Sequence, residues 1–333
     1  MALRKEVRKE LPTWNSREIV GHKERVLTVG WSSDGTRLAS GSADKTAKVW
    51  SLDRLGNADS VELKGHEGDV DQLCWDPVHA DLLATACTDK SIRIWDVRSA
   101  KSTQIKTAGE NINVAWSPDG KHIAVGNKDD TISFIDPRGG SSSDKDKKKY
   151  IYHEIKYQGV EVNEISWDNS GELFFLTTGQ GKIKVLDFKA IEKTSPENKE
   201  IYEFIAHNAN CYSIDFDPRG RHFATGGADA IVCLWDLEDF ACVRTFYSLE
   251  WPVRTISFSF DGEFLASGSE DNFIDISAVD TGETIHTVKC NAAMNSVAWH
   301  PSKYLLAYAG DDMENNGMAK GNVHVFGYPL PSV

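Results

Sequence analysis

The sequence predicts an all-β fold, a single seven-bladed β-propeller, from a repeated phrase, the spacing of its copies and the two complementary ends of the chain. Each copy has an aromatic marker residue: Trp31, Trp75, Trp116, Trp167, Phe216, Phe258 and Trp299. The markers are 44, 41, 51, 49, 42 and 41 residues apart. This is the length of one four-stranded blade. Seven such sheets close into a ring because each buries its faces only against its two neighbours.

Within each copy, strand and turn signals follow one another in the same order. An alternating apolar stretch ends on the marker aromatic, and a turn of the Ser-Pro-Asp-Gly type follows. A small-residue strand, an Asp-containing turn and a third strand complete the phrase. These are period-two strands separated by turn residues. Four strands within 41 to 51 residues leave no room for a helix, so we expect none.

The two ends of the chain predict how the ring closes. Residues 321–326 fit the third strand of the seventh blade, which then lacks a fourth, while residues 17–20 form a strand without a blade. We therefore expect an N-terminal strand to complete the last blade, which leaves no long exposed edge. The predicted organisation is a flexible N-terminal arm (1–15), a propeller (16–327) with a low-complexity, lysine-rich loop (139–149), and a C-terminal tail (328–333).

Composition narrows the classes of function. The net charge of −13 argues against a protein that grips nucleic acid directly, which would carry a basic face, and favours protein partners. The sequence has no apolar run of about 20 residues and no signal peptide, so we expect an intracellular protein that does not contact membranes. The six cysteines form no Cys-x-x-Cys pair. We find no catalytic motif and expect no enzyme activity, metal, cofactor or small-molecule substrate.

Three copies share four polar residues at constant spacing. A His stands nine residues before the marker, and an Asp and a Trp follow a Ser or Thr by four and ten residues. The three sets are His22, Ser40, Asp44 and Trp50; His66, Thr85, Asp89 and Trp95; and His207, Thr225, Asp229 and Trp235. They resemble the WD-repeat (WD40) family, in which such residues form a hydrogen-bonded tetrad inside the blade. Ser, His and Asp are also the residues of a catalytic triad. Three copies around one ring favour the structural role.

The other four copies lack part of the tetrad. Ile135 replaces the Trp in the third copy, Gly181 replaces the Asp in the fourth, and Leu249 takes the His position in the sixth. We expect these blades to depend more on apolar packing and to be looser.

The WD-repeat resemblance also implies a binding surface. In that family the narrower face around the central channel binds peptides through fixed positions near each inner strand. Carried over by position or by neighbourhood, the candidate protein-binding residues are Arg25, Asp69, Asp71, Glu110, Glu161, Tyr212, Trp251, Arg254 and Glu270. The rim is mostly acidic and suits a basic partner segment. Arg254 with Trp251 and Tyr212 would form a separate aromatic and basic patch; alternatively, Trp251 fills the gap left by the missing tetrad.

Phrases beyond the repeat consensus are more specific. Gly109-Glu-Asn-Ile-Asn113 and Trp251-Pro-Val-Arg254 resemble the WD-repeat (third) subunits of the THO complex, the core of the TREX assembly. This resemblance implies a nuclear, non-enzymatic scaffold that docks on larger THO subunits and couples transcription and mRNA processing to mRNA transport, with RNA association left to the assembly. An alternative is a substrate receptor of a cullin-based ubiquitin ligase, because Trp95-Asp-Val-Arg98 matches the Trp-Asp-x-Arg motif of such receptors.

Overall fold

The computed structural model describes residues 7–51, 60–139, 150–193, 199–313 and 320–327. Within these ranges, 28 strands form seven four-stranded antiparallel sheets, which confirms the predicted seven-bladed propeller. Residues 140–149 of the predicted lysine-rich loop and the predicted tail at 328–333 lie outside the described residues.

The first three blades follow the chain in simple order. Blade 1 contains β2 (Val26–Trp31), β3 (Arg37–Ser42), β4 (Thr46–Ser51) and β5 (Val61–Lys64). Blade 2 contains β6 (Val70–Trp75), β7 (Leu82–Cys87), β8 (Ser91–Asp96) and β9 (Lys101–Lys106). Blade 3 contains β10 (Asn111–Trp116), β11 (Ile123–Asn127), β12 (Thr131–Ile135) and β13 (Ile151–Lys156).

Blades 4 to 6 repeat this order, and blade 7 joins the two ends of the chain. Blade 4 contains β14 (Val162–Trp167), β15 (Leu173–Thr178), β16 (Lys182–Asp187) and β17 (Glu200–Ile205). Blade 5 contains β18 (Cys211–Phe216), β19 (His222–Gly227), β20 (Val232–Asp236) and β21 (Cys242–Phe246). Blade 6 contains β22 (Val253–Phe258), β23 (Phe264–Ser269), β24 (Phe273–Ala278) and β25 (Thr284–Lys289). Blade 7 contains β26 (Met294–Trp299), β27 (Leu305–Gly310), β28 (Gly321–Gly327) and β1 (Asn15–His22).

Burial differs with the position of a strand in its blade. The first, inner strand lines the central channel. The second strand is buried at every residue except, in four blades, its first, because neighbouring blades cover both of its faces. The fourth, outer strand consists mostly of exposed and partly buried residues. The loops that lead into the inner strands and the turns between second and third strands share one face of the ring, which we call the upper face.

The structure confirms that the N-terminal strand completes the last blade. β1 pairs antiparallel with β28, from Asn15 opposite Gly327 to His22 opposite Gly321. The N-terminal and C-terminal strands therefore complete one sheet, and closure of the ring depends on their pairing.

Residues 7–14 were expected to belong to a flexible arm, but they pack against the propeller. A short helical stretch over residues 7–10 continues into a 3-10 turn at Leu11–Thr13. Val7, Leu11 and Trp14 are 7%, 0% and 9% exposed, in a core cluster formed mainly by blades 6 and 7. Arg8 donates a hydrogen bond of 2.8 Å to Asp280. Apolar residues between the charges of this segment are the sequence signal for its packing.

The expectation that the propeller contains no helix is wrong between the third and fourth strands of blade 4. The helix α1 (Phe188–Glu192) begins after Asp187, whose side chain accepts hydrogen bonds from the backbone N–H groups of Lys189 and Ala190. Phe188 and Ile191 are buried. This Asp is a typical N-cap before apolar residues, and the helix lies in one of the two longest repeats. No helix in the described ranges is both long enough and apolar enough to span a membrane.

Candidate protein-interaction site

The hydrogen-bonded tetrad is complete in blades 2 and 5. In blade 2, Trp95 Nε1 donates to Thr85 Oγ1 over 2.9 Å, and His66 Nε2 lies 2.8 Å from the same hydroxyl. His66 Nδ1 lies 2.8 Å from Asp89. The polar atoms form one chain if Thr85 donates to the imidazole and the imidazole donates to the carboxylate. Blade 5 repeats this arrangement in the set His207, Thr225, Asp229 and Trp235.

Blade 1 forms only part of this hydrogen-bonded network. His22 lies 2.9 Å from Asp44 and 2.6 Å from the Ser40 hydroxyl. Trp50 Nε1, however, is buried without a hydrogen-bond partner among the described residues. Ser40 lacks the γ-methyl group that restricts the χ1 rotamer of the threonines in blades 2 and 5. We attribute the missing Trp50 bond to this difference.

The tetrad of blade 2 favours a neutral His66 and an ionised Asp89. Burial lowers the pKa of His66 against the opposing effect of Asp89. Burial would raise the pKa of Asp89, but hydrogen bonds from Ser91, His66 and Glu67 lower it to about 2. His66, Cys87 and Asp89 offer ligand atoms within 4.8 Å of one another. Both imidazole nitrogens of His66 already have protein partners, and burial raises the pKa of the Cys87 thiol to about 12, so we interpret the cluster as part of the scaffold.

In blade 6, apolar packing replaces the tetrad His. Leu249 is 6% exposed and belongs to the core cluster there. Asp271 accepts hydrogen bonds from the backbone N–H groups of Glu250 and Trp251 and from the Ser269 hydroxyl. The Trp251 side chain is 56% exposed, so it does not fill the gap left by the tetrad. The alternative that Trp251 fills this gap is therefore wrong. Packing within the core does not explain why this Trp is exposed.

The Gly109-Glu-Asn-Ile-Asn113 phrase connects three blades. Asn111 is fully buried, accepts a hydrogen bond from the Thr107 hydroxyl over 2.9 Å, and donates to the Cys87 carbonyl of blade 2 over 3.3 Å. Asn113 donates to the Asn163 carbonyl of blade 4 over 2.9 Å. The phrase therefore supplies interblade hydrogen bonds in a blade that lacks the tetrad.

The channel wall contains a set of polar residues that the sequence analysis missed. Inner strands expose backbone N–H groups on the side away from their own blade, and side chains of the preceding blade accept hydrogen bonds from them. The acceptors are Gln72 for Val114, Asp215 for Phe258, Thr255 for Val297, Ser257 for Trp299 and Ser296 for Val29. All lie three residues or one residue before a marker aromatic, which is the signal that could have identified them.

Two partly buried carboxyl groups of the channel, those of Glu164 and Asp215, take part in this wall. Burial raises the pKa values of Glu164 and Asp215 to about 7. Glu164 accepts hydrogen bonds from the Gln72 and Asn113 side chains and from the Ile165 backbone. Asp215 accepts from the backbone N–H groups of Phe258 and Phe216. These contacts join neighbouring blades and give both groups a structural role.

The upper mouth of the channel carries a group of acidic residues at blades 2 and 3. Burial raises the pKa of Asp71 to about 6, Lys128 opposes this shift, and the negative charges of Asp69 and Glu110 add to it. Glu110 is also paired with Lys128 at 2.8 Å. The other predicted rim residues Arg25 and Glu161 are exposed on blades 1 and 4, and Tyr212 is half-buried on blade 5.

The expected basic patch at Arg254 is not present as a free positive charge. The Arg254 guanidinium lies 2.7 Å from Glu270 and 3.8 Å from Asp311, and it contacts Asn295 over 3.4 Å. Two carboxylates thus neutralise it and connect blades 6 and 7. Sequence position alone could not reveal this pairing, because the partners come from two different turns.

The Trp95-Asp-Val-Arg98 motif has structural partners of its own. Trp95 is 1% exposed and belongs to the tetrad of blade 2. The Arg98 guanidinium lies 3.2 Å from Asp96 and 3.5 Å from Asp81. Since its side chain is 66% exposed, Arg98 still reaches the surface.

Comparisons with known proteins agree with this architecture. The sequence model of the THOC3 beta-propeller domain matches residues 22–309. The chain is 51% identical over 318 residues to "THO complex subunit 3" of Arabidopsis thaliana, covering 94% of this chain and 96% of that protein. It is 37% identical over 334 residues to "WD repeat-containing protein AAC3" of Dictyostelium discoideum, covering 94% and 67%. The "WD repeat-containing protein WDS homolog" of Arabidopsis thaliana is 26% identical over 322 residues, covering 92% and 57%.

Proposed function

The chain belongs to the THOC3 beta-propeller family, and from this membership we propose that it is a non-enzymatic scaffold subunit of a nuclear THO complex. In this role it docks on the larger subunits and helps couple transcription and mRNA processing to mRNA export. The observation that carries the proposal is the 51% identity to THO complex subunit 3, over 94% of this chain and 96% of that protein.

The chemistry of the channel supports a scaffold role. Glu164 and Asp215 carry the raised pKa values that acid–base catalysts often have. Their oxygen atoms, however, accept hydrogen bonds that join different blades. A residue that holds the ring together in this way is poorly placed to exchange protons with a substrate.

We propose that RNA contact in the complex is made mainly by other subunits. The chain carries a net charge of −13, and Asp69, Asp71 and Glu110 form an acidic cluster at the channel mouth. Phosphate groups would be repelled there, whereas a basic protein segment would be attracted. The proposed protein-binding residues around this mouth are Arg25, Asp69, Asp71, Glu110, Glu161, Tyr212, Arg254 and Glu270.

Affinity purification of the tagged full chain from nuclear extract tests the assignment. The larger THO subunits should co-purify, and they should remain after nuclease treatment if the contacts are between proteins. Recovery of a cullin adaptor that is lost in Arg98→Ala, with no THO subunit recovered, would instead favour the ligase receptor.

Charge reversal tests the channel mouth separately. Asp69→Lys combined with Glu110→Lys should reduce recovery of the larger subunits without lowering the melting temperature, since the Glu110 side chain is 45% exposed and Asp69 lies in a loop. Asp239→Lys, which reverses an exposed charge in the turn before β21, is the control. Unchanged recovery with the double variant would remove the acidic mouth from the docking surface.

A further inference from the structure

The outer strands follow a rule at their upper ends. In blades 1, 2, 3 and 6, the outer residue opposite the start of the third strand is an exposed lysine. The pairs are Thr46 with Lys64, Ser91 with Lys106, Thr131 with Lys156, and Phe273 with Lys289. Lysine at such a place keeps an open sheet edge from pairing with other chains.

Blades 4 and 5 break this rule side by side. In blade 4 the residue opposite Lys182 is Ile205, which is 68% exposed. Extending the β20–β21 register by one residue places Tyr247, 70% exposed, at the same position of blade 5. Trp251, 56% exposed, follows four residues later at the entry to blade 6. We call Ile205, Tyr247 and Trp251 the apolar edge. Val20 of blade 7 is also exposed, but blade 6 and its Lys289 separate it from this group.

Packing within the propeller does not account for the apolar edge. On β17 it is Tyr202 and Phe204 that stack on Phe240, at centroid distances of 5.3 and 6.0 Å. Ile205 lies outside the core cluster that contains Phe204 and Phe240. Large exposed aromatic residues among few charges are the composition of a protein interface.

The neighbouring charges indicate the chemistry of the partner. Glu250, next to Trp251, is exposed and forms no ion pair among the described residues. The nearby cation Arg254 is already held by Glu270 and Asp311. The free charge beside the apolar edge is therefore negative, and it suits a partner that brings a positive charge with its apolar side chains.

We propose that the apolar edge binds a segment of a larger THO subunit in which apolar side chains are flanked by Lys or Arg. The proposal rests on the THO function proposed above and assigns it a surface. This surface runs from the upper ends of the outer strands of blades 4 and 5 to the loop that leads into blade 6, away from the acidic channel mouth at blades 2 and 3.

The exposed lysines of blades 1, 2, 3 and 6 suggest which variants to test. Ile205→Lys combined with Tyr247→Lys gives blades 4 and 5 the residue that four other blades carry at the same position, so the fold should tolerate both changes. Ile201→Lys is the matched control, because Ile201 is a 51% exposed residue near the opposite end of the same strand. Thermal melts establish that all three proteins fold equally well.

Co-purification from nuclear extract is then compared under a salt series. We expect the double variant to recover at least about tenfold less of the larger THO subunits than wild type, while Ile201→Lys recovers the wild-type amount. Glu250→Lys should also reduce recovery, most strongly at low salt. If the double variant recovers the wild-type amount, the apolar edge is not a docking site, and the proposed THO function is unaffected.

Two other outcomes are equally decisive. If Glu250→Lys recovers the wild-type amount of the larger THO subunits at every salt concentration while the double variant recovers less, the partner is not basic. The apolar contact then still stands. If the wild-type chain itself recovers no THO subunit, the proposed function fails and the apolar edge fails with it.

Discussion

Replacing Asp89 with Ala tests whether the tetrads hold the blades together. Asp89 accepts hydrogen bonds from His66 Nδ1, the Glu67 backbone, and the backbone and hydroxyl of Ser91. The Glu67 N–H is near solvent and the Ser91 hydroxyl can rotate, so two buried donors lose their partner. At about 1–3 kcal/mol for each unsatisfied buried group, the two donors together should cost about 2–6 kcal/mol.

For a chain of 333 residues, an unfolding entropy of about 2.1 cal/mol/K per residue converts this loss into a fall of about 3–9 °C in melting temperature. Asp129→Ala is the matched control. Asp129 stands at the same position of blade 3 and is exposed, and Thr107 takes the sequence position of the His there. It should change the melting temperature by less than about 1 °C. Asp44→Ala and Asp229→Ala should behave like Asp89→Ala. Equal melting temperatures for Asp89→Ala and Asp129→Ala would refute a stabilising role of the tetrad.

Three further predictions concern other parts of the ring. Leu11→Ala should destabilise the protein by about 2–5 kcal/mol because Leu11 is fully buried, whereas Val20→Ala at an exposed site should not; equal thermal melts would contradict packing of the N-terminal segment. Burial raises the pKa of Glu164 to about 7, so wild type loses stability relative to Glu164→Gln as pH rises from about 5 to about 8; a difference in melting temperature that stays constant over this range would refute the shift. Deleting residues 140–149 should barely change the melting temperature, since loop length costs little; a large fall would mean that the loop is packed.

The sequence predicted those features that depend on one blade alone. The marker aromatics, the turn residues and the four tetrad positions have constant spacing, because every blade uses the same hairpin geometry. The arrangement of β1 beside β28 followed from counting strands at the two ends. The missing hydrogen bond of Trp50 could not be predicted, since it depends on a hydroxyl rotamer and not on spacing.

Features that depend on two elements were harder to predict. Arg254 looked like a free cation because its partners Glu270 and Asp311 come from turns of two different blades. Leu11 and Trp14 looked like part of a polar arm, because their burial depends on a cleft between blades 6 and 7 that exists only in the closed ring. The acceptors along the channel wall were missed for the same reason: each serves the backbone of the next blade.

That the blades without a tetrad are looser stays a prediction, and interblade bonds also connect three of them to their neighbours. Blade 3 is tied to blade 2 through Asn111 and to blade 4 through Asn113. Thr255 and Ser257 tie blade 6 to blade 7, and Ser296 ties blade 7 to blade 1. A bond inside a blade stabilises that blade alone, whereas a bond between blades is lost when either neighbour opens. Blades 2 and 5 also have interblade bonds, but each has a complete tetrad of its own. We therefore expect blades 3, 6 and 7 to depend on the closed ring, and so on the pairing of β1 with β28, more than blades 2 and 5 do.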